Sequence, residues 1–199
     1  TKEAHQRWLD HRYDPELPFA PLDTYPVQRG FDRHYGVIWG VINHFDPFSL
    51  VDGVTPVTTL PRDYYFTDAI TDKSVEYLND FGNSEKPFFL YVAHCAPHWP
   101  LHARPEDIVK YKGAYTGGWE LLRKDRFRRQ LKMGLFRKEN TPLPPVQDEG
   151  TKWDRLSETE KAYQARKMAV HAAMIDRIDQ STGRIVRALE KTGRLEISH

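Results

Sequence analysis

Residues 90–102 read LYVAHCAPHWPLH. His94, His98 and His102 recur every four residues, with Cys95 beside the first. On a helix such steps align three imidazoles on one face, the donor pattern of a zinc site. Pro97 and Pro100 lie between them. An interior proline costs a helix about 3 kcal/mol, because it lacks an N–H and clashes with the preceding turn. It also drives the residue before it, here Ala96 and Trp99, out of the helical region. The ladder does not form, so the spacing does not make a three-histidine zinc site. KPFFLYVAH (86–94) reads instead as a short buried strand of aromatic and β-branched residues, with Pro87 at its start. CAPHWPLHARP (95–105) follows as a proline-studded loop leaving the strand's C-terminal end. In open α/β sheets that edge is where ligands bind.

The elements that must carry this loop are legible around it. FTDAITDKSVEYLNDFG (66–82) predicts a helix, with Thr67 or Asp68 as cap and Ile70, Ser74, Tyr77, Leu78 and Phe81 on one face. Helix then strand suggests an α/β class. PEDIVKYKG (105–113) predicts a short helix opening at proline. Ser157 and Glu160 form an S-x-x-E capping box. Ala165, Met168, Ala172, Ile175, Ile178, Thr182, Ile185 and Leu189 then recur at helical spacing. They predict a long amphipathic helix over 158–191, closed by Gly193. RLEISH (194–199) reads as the start of another strand. Residues 1–30 read as extended loop, the middle of 30–40 as a short strand, and 43–63 as loop with a hairpin about Asp52-Gly53. Residues 141–153 read as a linker.

The bulk numbers bound the rest. A chain of 199 residues supports one domain with a real core. Net charge is +1, so nothing biases the whole toward nucleic acid or membrane. Hydrophobic residues make up 39%, and no apolar run approaches the ~20 residues of a membrane span. Residues 119–138 are basic, from Arg123 to Lys138. They read as the solvated face of a helix whose other side holds Leu122, Phe127 and Leu131. Nucleic-acid binding through this run lacks an interleaved aromatic pattern. Thr1 is not a natural start, so the N-terminus looks cut. The single cysteine rules out an internal disulfide and leaves the compartment open, and nothing fixes the oligomeric state.

Other residues carry two readings each. Asn43 and His44 follow a glycine-bounded segment and line a pocket, or form a turn with a surface histidine. His94 reads as a satisfied core histidine. His102 lines a pocket mouth or is solvated, and Trp99 walls a substrate site or covers the loop. Asp176 and Asp179 lie at or beyond the edge of the long helix's apolar stripe.

Taken in order, three segments resemble the sulfatase family of the alkaline-phosphatase-like superfamily. RGFDRHYGVIWG (29–40) is similar to its Arg-Gly-Phe-Asp-x-x-Tyr-Gly segment. KPFFLYVAHCAPHWPLHARPEDIVKYKGAY (86–115) is similar to its strand and Ala-Pro-His-x-Pro-Leu loop. Residues 143–195 resemble the long helix of the arylsulfatase branch, including Ala-Ala-Met at 172–174 and the Asp179 to Gly183 step. The resemblance implies an α/β fold, part of a sulfatase sandwich with a central mixed sheet flanked by helices. It implies that residues 1–199 are the central portion of one catalytic domain. It implies a sulfuric ester hydrolase acting on small-molecule sulfate monoesters, with Ca²⁺ and a formylglycine made from a cysteine in Cys-x-(Pro/Ala)-x-Arg. Cys95 departs from that motif, since His98 and Trp99 stand where Ser and Arg belong, and it reads as structural. The modified cysteine and the Ca²⁺ ligands are therefore expected outside this chain, and the isolated chain is expected to be inactive.

His98 matches the family's active-site histidine. The resemblance implies that it hydrogen-bonds the sulfate ester and protonates the leaving oxygen. An imidazole suits both tasks, because it changes charge near neutrality. Asn43, His44 and His102 are the accompanying candidates for substrate contact. Two alternatives stay open: a phosphate or phosphonate ester hydrolase of the same superfamily, and a catalytically dead relative that only binds.

Overall fold

A computed structural model describes residues 2, 3, 6, 18–82, 84, 86–145 and 152–195. The chain divides into two units, 1–102 with 174–199, and 103–173.

The first unit is built on a three-stranded antiparallel sheet: β1 (Tyr35–Val37), β2 (Leu50–Asp52) and β3 (Thr55–Pro56). Tyr35 pairs with Asp52, Val37 with Leu50, and Asp52 with Thr55. The turn between β2 and β3 puts Gly53 at φ 64°, where a side chain would be strained. The expected short strand and the expected hairpin are both present. Successive strand residues face opposite ways, and β2 shows the consequence. Leu50 joins Ile42, Tyr64, Phe66 and Ile70, whereas Val51 joins Phe19, Tyr25 and Phe48. One face is covered by Phe66 and Ile70 of the helix that follows, together with loop residues, and the other by loop residues. In the expected loop over 1–30, residues 2, 3 and 6 are helical, and 3₁₀ turns form at Leu22–Thr24 and Pro26–Gln28. Each turn carries proline beside or inside it, which presets φ.

Helix α1 (Phe66–Gly82) occupies the span its periodicity predicts. Thr67, Ile70, Thr71, Ser74, Tyr77 and Leu78 are buried along one stripe, with Phe81 half-buried at its end. The capping expectation needs correction. The carbonyl of Tyr65 takes the first helical bond, from Ala69 N at 3.0 Å, so Thr67 and Asp68 lie inside the first turn. The 29–40 segment docks on α1 through Arg33. Its guanidinium bonds Asp80 at 2.6 Å and lies over the rings of Tyr77 and Phe81, 5.3 Å from each centroid.

The expected strand at 87–94 does not form: the segment holds no regular structure and pairs with no strand among the described residues, although its exposure alternates residue by residue as along a strand. Nor is it buried on both faces. Phe89 is 77% and Tyr91 72% exposed, while Phe88, Leu90, Val92 and His94 on the other face are half-buried. Its apolar composition predicted burial; a ladder also requires a neighbouring strand, and none is described beside it. Of the strand expected at 194–199, residues 196–199 lie outside the described residues, as do 146–151 of the linker.

The second unit holds α2 (Pro105–Lys110) and α3 (Trp119–Lys132), which buries no residue fully. Leu122, Phe127 and Leu131 are half-buried, as the solvated-face reading requires. Helix α4 (Glu158–Lys191) gives its first half to this unit and its second half, from Met174, to the first. Its capping box forms as spelled: Ser157 N donates to Glu160 Oε2 at 2.8 Å, and Glu160 N to Ser157 Oγ at 3.3 Å. At its other end Gly193 N bonds Glu190 O, Arg194 N bonds Leu189 O, and Gly193 sits at φ 69°. That is a Schellman motif, which satisfies carbonyls that the helix leaves unbonded. The buried face is turned by about one residue from the predicted stripe. Ala169, Ala172, Ala173, Met174, Ser181 and Ala188 are buried, whereas Ile175 is 47% exposed. Small residues mark this contact, and an apolar-size pattern does not register them.

Candidate functional site

The first unit brings the loop histidines to α1 and the 41–49 segment. Tyr65, at the start of α1, is buried, and its hydroxyl donates to the main-chain oxygen of His102 at 2.9 Å. Phe45 lies against the same two residues, with ring centroids 5.1 Å from Tyr65 and 5.9 Å from His102. Neither Tyr65 nor Phe45 stood out in the sequence. The available signal was an aromatic residue one position before a helix, too common to single out.

His98 is exposed on the loop that its prolines shape. The peptides Ala96–Pro97 and Trp99–Pro100 are cis. His98 N donates to Cys95 O at 3.0 Å, and its ring Nδ1 lies 2.7 Å from the carbonyl oxygen of Trp99. A carbonyl only accepts, so Nδ1 carries the proton. Nε2 is then a bare acceptor in the neutral ring and a donor in the charged one. Trp99 itself is 68% exposed.

His102 is half-buried, and its Nδ1 accepts the main-chain N–H of His44 at 3.4 Å. Burial lowers its pKa. In that bond Nδ1 must be unprotonated, which leaves the proton of the neutral ring on Nε2. His44 is 1% exposed, so it is no surface histidine. Its ring meets that of His102 edge-on, 6.1 Å between centroids. Burial lowers its pKa, and the neighbouring His102 pushes the same way. Asn43 is exposed, and its Oδ1 accepts the amide of Phe45 at 2.9 Å. That is the turn geometry its residue type allows.

His94 faces elsewhere. Its Nε2 lies 3.2 Å from Ser181 Oγ, which lies 2.7 Å from Thr71 Oγ1, which lies 2.6 Å from Thr67 O. Thr71 has one proton and the carbonyl can only accept it. Ser181 therefore donates to Thr71, and His94 Nε2–H donates to Ser181. Burial lowers the pKa of His94, as befits a core histidine. Its Nδ1 is buried without a partner among the described residues. Cys95 is a free thiol packed against the Leu50 cluster, and burial pushes its pKa up. A thiolate is the reactive form, so this setting fits a structural cysteine.

Among the described residues no group of three or more His, Cys, Asp or Glu is gathered to hold a metal. Calcium takes six to eight oxygen donors. A cluster of imidazoles and aromatic rings does not fit that ion. A cavity of about 940 Å³ is lined by Phe31, Tyr35, Phe81, Phe88, Leu90 and Val92 among others, and His44, His94, His98 and His102 are not on its wall. Its lining is mainly aromatic and aliphatic, with Arg29, Asp32, Arg33, His34 and Lys73 also on the wall.

The sulfatase family matches residues 4–197. An uncharacterised sulfatase of Schizosaccharomyces pombe is 35% identical over 190 residues, covering 87% of this chain and 34% of that protein. An arylsulfatase of Klebsiella aerogenes is 31% identical over 188 residues, covering 89% of this chain and 40% of that protein. The chain thus spans about a third to two-fifths of the length of these relatives. Among solved structures, Ps i-CgsB, determined alone and in complex with k-i-k-neocarrahexaose, aligns at TM-score 0.54 and 21% identity. The alignment covers 88% of this chain and 32% of that one, and it shows the likeness of fold. A family match that runs through the 29–40 segment, the proline loop and the long helix leaves one conclusion: the chain belongs to the sulfatase family.

Proposed function

We propose that residues 1–199 are the central portion of one sulfatase catalytic domain, and that the whole protein is an arylsulfatase-like hydrolase of small-molecule sulfate monoesters. The observation that carries this is His98: the match to the family includes its loop, and the ring is exposed with Nδ1 tied to the Trp99 carbonyl. That tie leaves Nε2 as the nitrogen presented to a ligand. In the charged ring it donates a hydrogen bond to an anionic ester. As the ester bond breaks, the same proton passes to the leaving oxygen, which makes His98 a general acid. His102, Asn43 and His44 are the further contacts assigned to the ester, with His44 buried against His102. Formylglycine supplies a nucleophile and Ca²⁺ neutralises sulfate charge when they are bound, and both belong to parts of the protein outside this chain. The apolar cavity beside the unpaired 87–94 segment supports the fragment reading, because it offers a groove and an open edge for further strands.

The test uses an aryl sulfate whose phenol is coloured on release. The isolated chain is expected to release none. In the protein that includes the flanking reading frame, His98→Ala is expected to lower kcat by about 10²–10⁴-fold, the range of a general acid. Turnover by the isolated chain that His98→Ala abolishes would overturn the fragment reading. Preference of the longer protein for an aryl phosphate would favour a phosphoryl ester hydrolase, and turnover of neither would favour a binding-only relative.

A further inference from the structure

Positive charge gathers in one segment of this protein. Residues 119–138 carry eight cationic and two acidic side chains, in a chain whose net charge is +1. Both acids are engaged: Asp125 pairs with Arg128, and Glu120 Oε1 accepts the amide of Trp153 at 3.2 Å. That bond, with the rings of Trp119 and Trp153 edge-on at 5.1 Å, pins α3 at its N-terminal end. Its 14 residues put the other end about 20 Å away. There Gly134, at φ 74°, closes a Schellman motif. The Gly134 amide bonds Leu131 O and the Leu135 amide bonds Gln130 O, each at 3.0 Å. In this motif the residue after the glycine commonly packs on an apolar residue of the last turns. Here those positions hold Gln130 and Arg129, and Leu135 is 60% exposed. Met133 is 71% exposed, and Phe136 is exposed beside them. Arg129 and Lys132 before this tip, and Arg137 and Lys138 after it, are exposed as well.

We propose that the C-terminal end of α3 is a membrane-contact tip: Met133, Leu135 and Phe136 enter the interface of an anionic bilayer, and the cations around them bind its headgroups. Two observations choose this occupant. Three large apolar side chains stand in water, and a bilayer interface takes such groups without a shaped groove. The cations that flank them are drawn to acidic phospholipid, and their long stems reach headgroups while the tip sits deeper. A nucleic acid or another polyanion would satisfy the cations and leave the apolar tip in water. A solvated helix face likewise explains the cations and not the tip. No helix among the described residues is long and apolar enough to cross a membrane, so the contact is with the membrane's surface. The proposal goes beyond the sulfatase reading and does not rest on it.

The test is flotation of the protein, with its flanking reading frame, on lipid vesicles, where bound protein rises and aggregates sink. Flotation is expected on vesicles of phosphatidylcholine with phosphatidylserine. It is expected to be about tenfold weaker on phosphatidylcholine alone and to fall as salt is raised. Leu135→Ser with Phe136→Ser removes apolar surface and keeps every charge, whereas Arg137→Glu with Lys138→Glu reverses charge and keeps the tip. Each pair is expected to weaken flotation about tenfold and to leave the melting temperature unchanged. Should the serine pair lower the melting temperature, Met133→Ser decides in its place: weaker flotation supports the proposal and unchanged flotation overturns it. Absence of flotation with phosphatidylserine would overturn it, as would equal flotation on phosphatidylcholine alone or flotation that either pair leaves unchanged. Binding of duplex DNA without binding of vesicles would overturn it in favour of a polyanion surface. No sulfate ester enters the measurement, so its failure leaves the sulfatase reading standing, and the reverse also holds.

Discussion

Three histidines from one short stretch end in three environments. His94 is fixed in a hydroxyl chain, His98 is exposed against a carbonyl, and His102 accepts an amide. Their spacing invited a common role. Proline and burial gave them separate ones. For His34, His44, His94 and His102 burial is the foremost cause of a lowered pKa. The consequence for stability has a definite sign. Above an ordinary histidine pKa of about 6.5 both folded and unfolded chains hold these rings neutral. Below it the unfolded chain binds protons that the folded one resists, so stability falls as pH falls toward the lowered values. We predict a melting temperature that is flat from pH 8 to 7 and declines below about 6.5. His94→Gln should flatten the decline. A melting temperature that is level down to pH 5.5 would refute the assignment of these rings as neutral and buried.

Between elements, the contact most open to a decisive experiment is the chain of hydroxyls joining α1 to α4. Thr71 and Ser181 are 1% and 2% exposed, and each lies on the buried stripe of its helix. A buried hydroxyl that loses its partner costs about 1–3 kcal/mol, whereas removing both partners is far milder. Thr71→Val strands Ser181 and is predicted to destabilise by about 2 kcal/mol. Ser181→Ala also takes the acceptor from His94 Nε2. The double variant should cost less than the sum of the two singles by about 1 kcal/mol. Denaturant unfolding of the four proteins measures this, and strict additivity would mean that the hydroxyls do not act together. The same pair explains why the α4 face was misjudged. A sequence shows Ser181 as polar, and only the facing Thr71 makes it a core residue.

For the molecule as a whole, the 87–94 segment sets the behaviour. It is apolar, alternates in exposure and is unpaired among the described residues, with Phe89 and Tyr91 largely exposed. Such an edge offers a template to another chain. The isolated chain is predicted to self-associate, and Phe89→Lys with Tyr91→Lys to reduce that association while leaving the melting temperature within a few degrees. Sedimentation across a concentration series would decide; association unaffected by both lysines would place the sticky surface elsewhere. Local signals were enough to determine much of this protein: both long helices to the residue, the capping box, the Gly193 stop, the hairpin and the family. Each rests on neighbours in sequence, on a repeat of 3.6, a glycine or a cap, or on motif order. The candidate site was legible as a set of residues, His98 in its loop with Asn43, His44 and His102 beside it, and not as an arrangement. That His44 is buried against His102, that Tyr65 bonds the His102 main chain, that α4 turns its small residues inward and that a strand-like segment is unpaired among the described residues were decided by tertiary structure. Burial and pairing depend on what the chain brings from far along its length, and no local pattern encodes the partner.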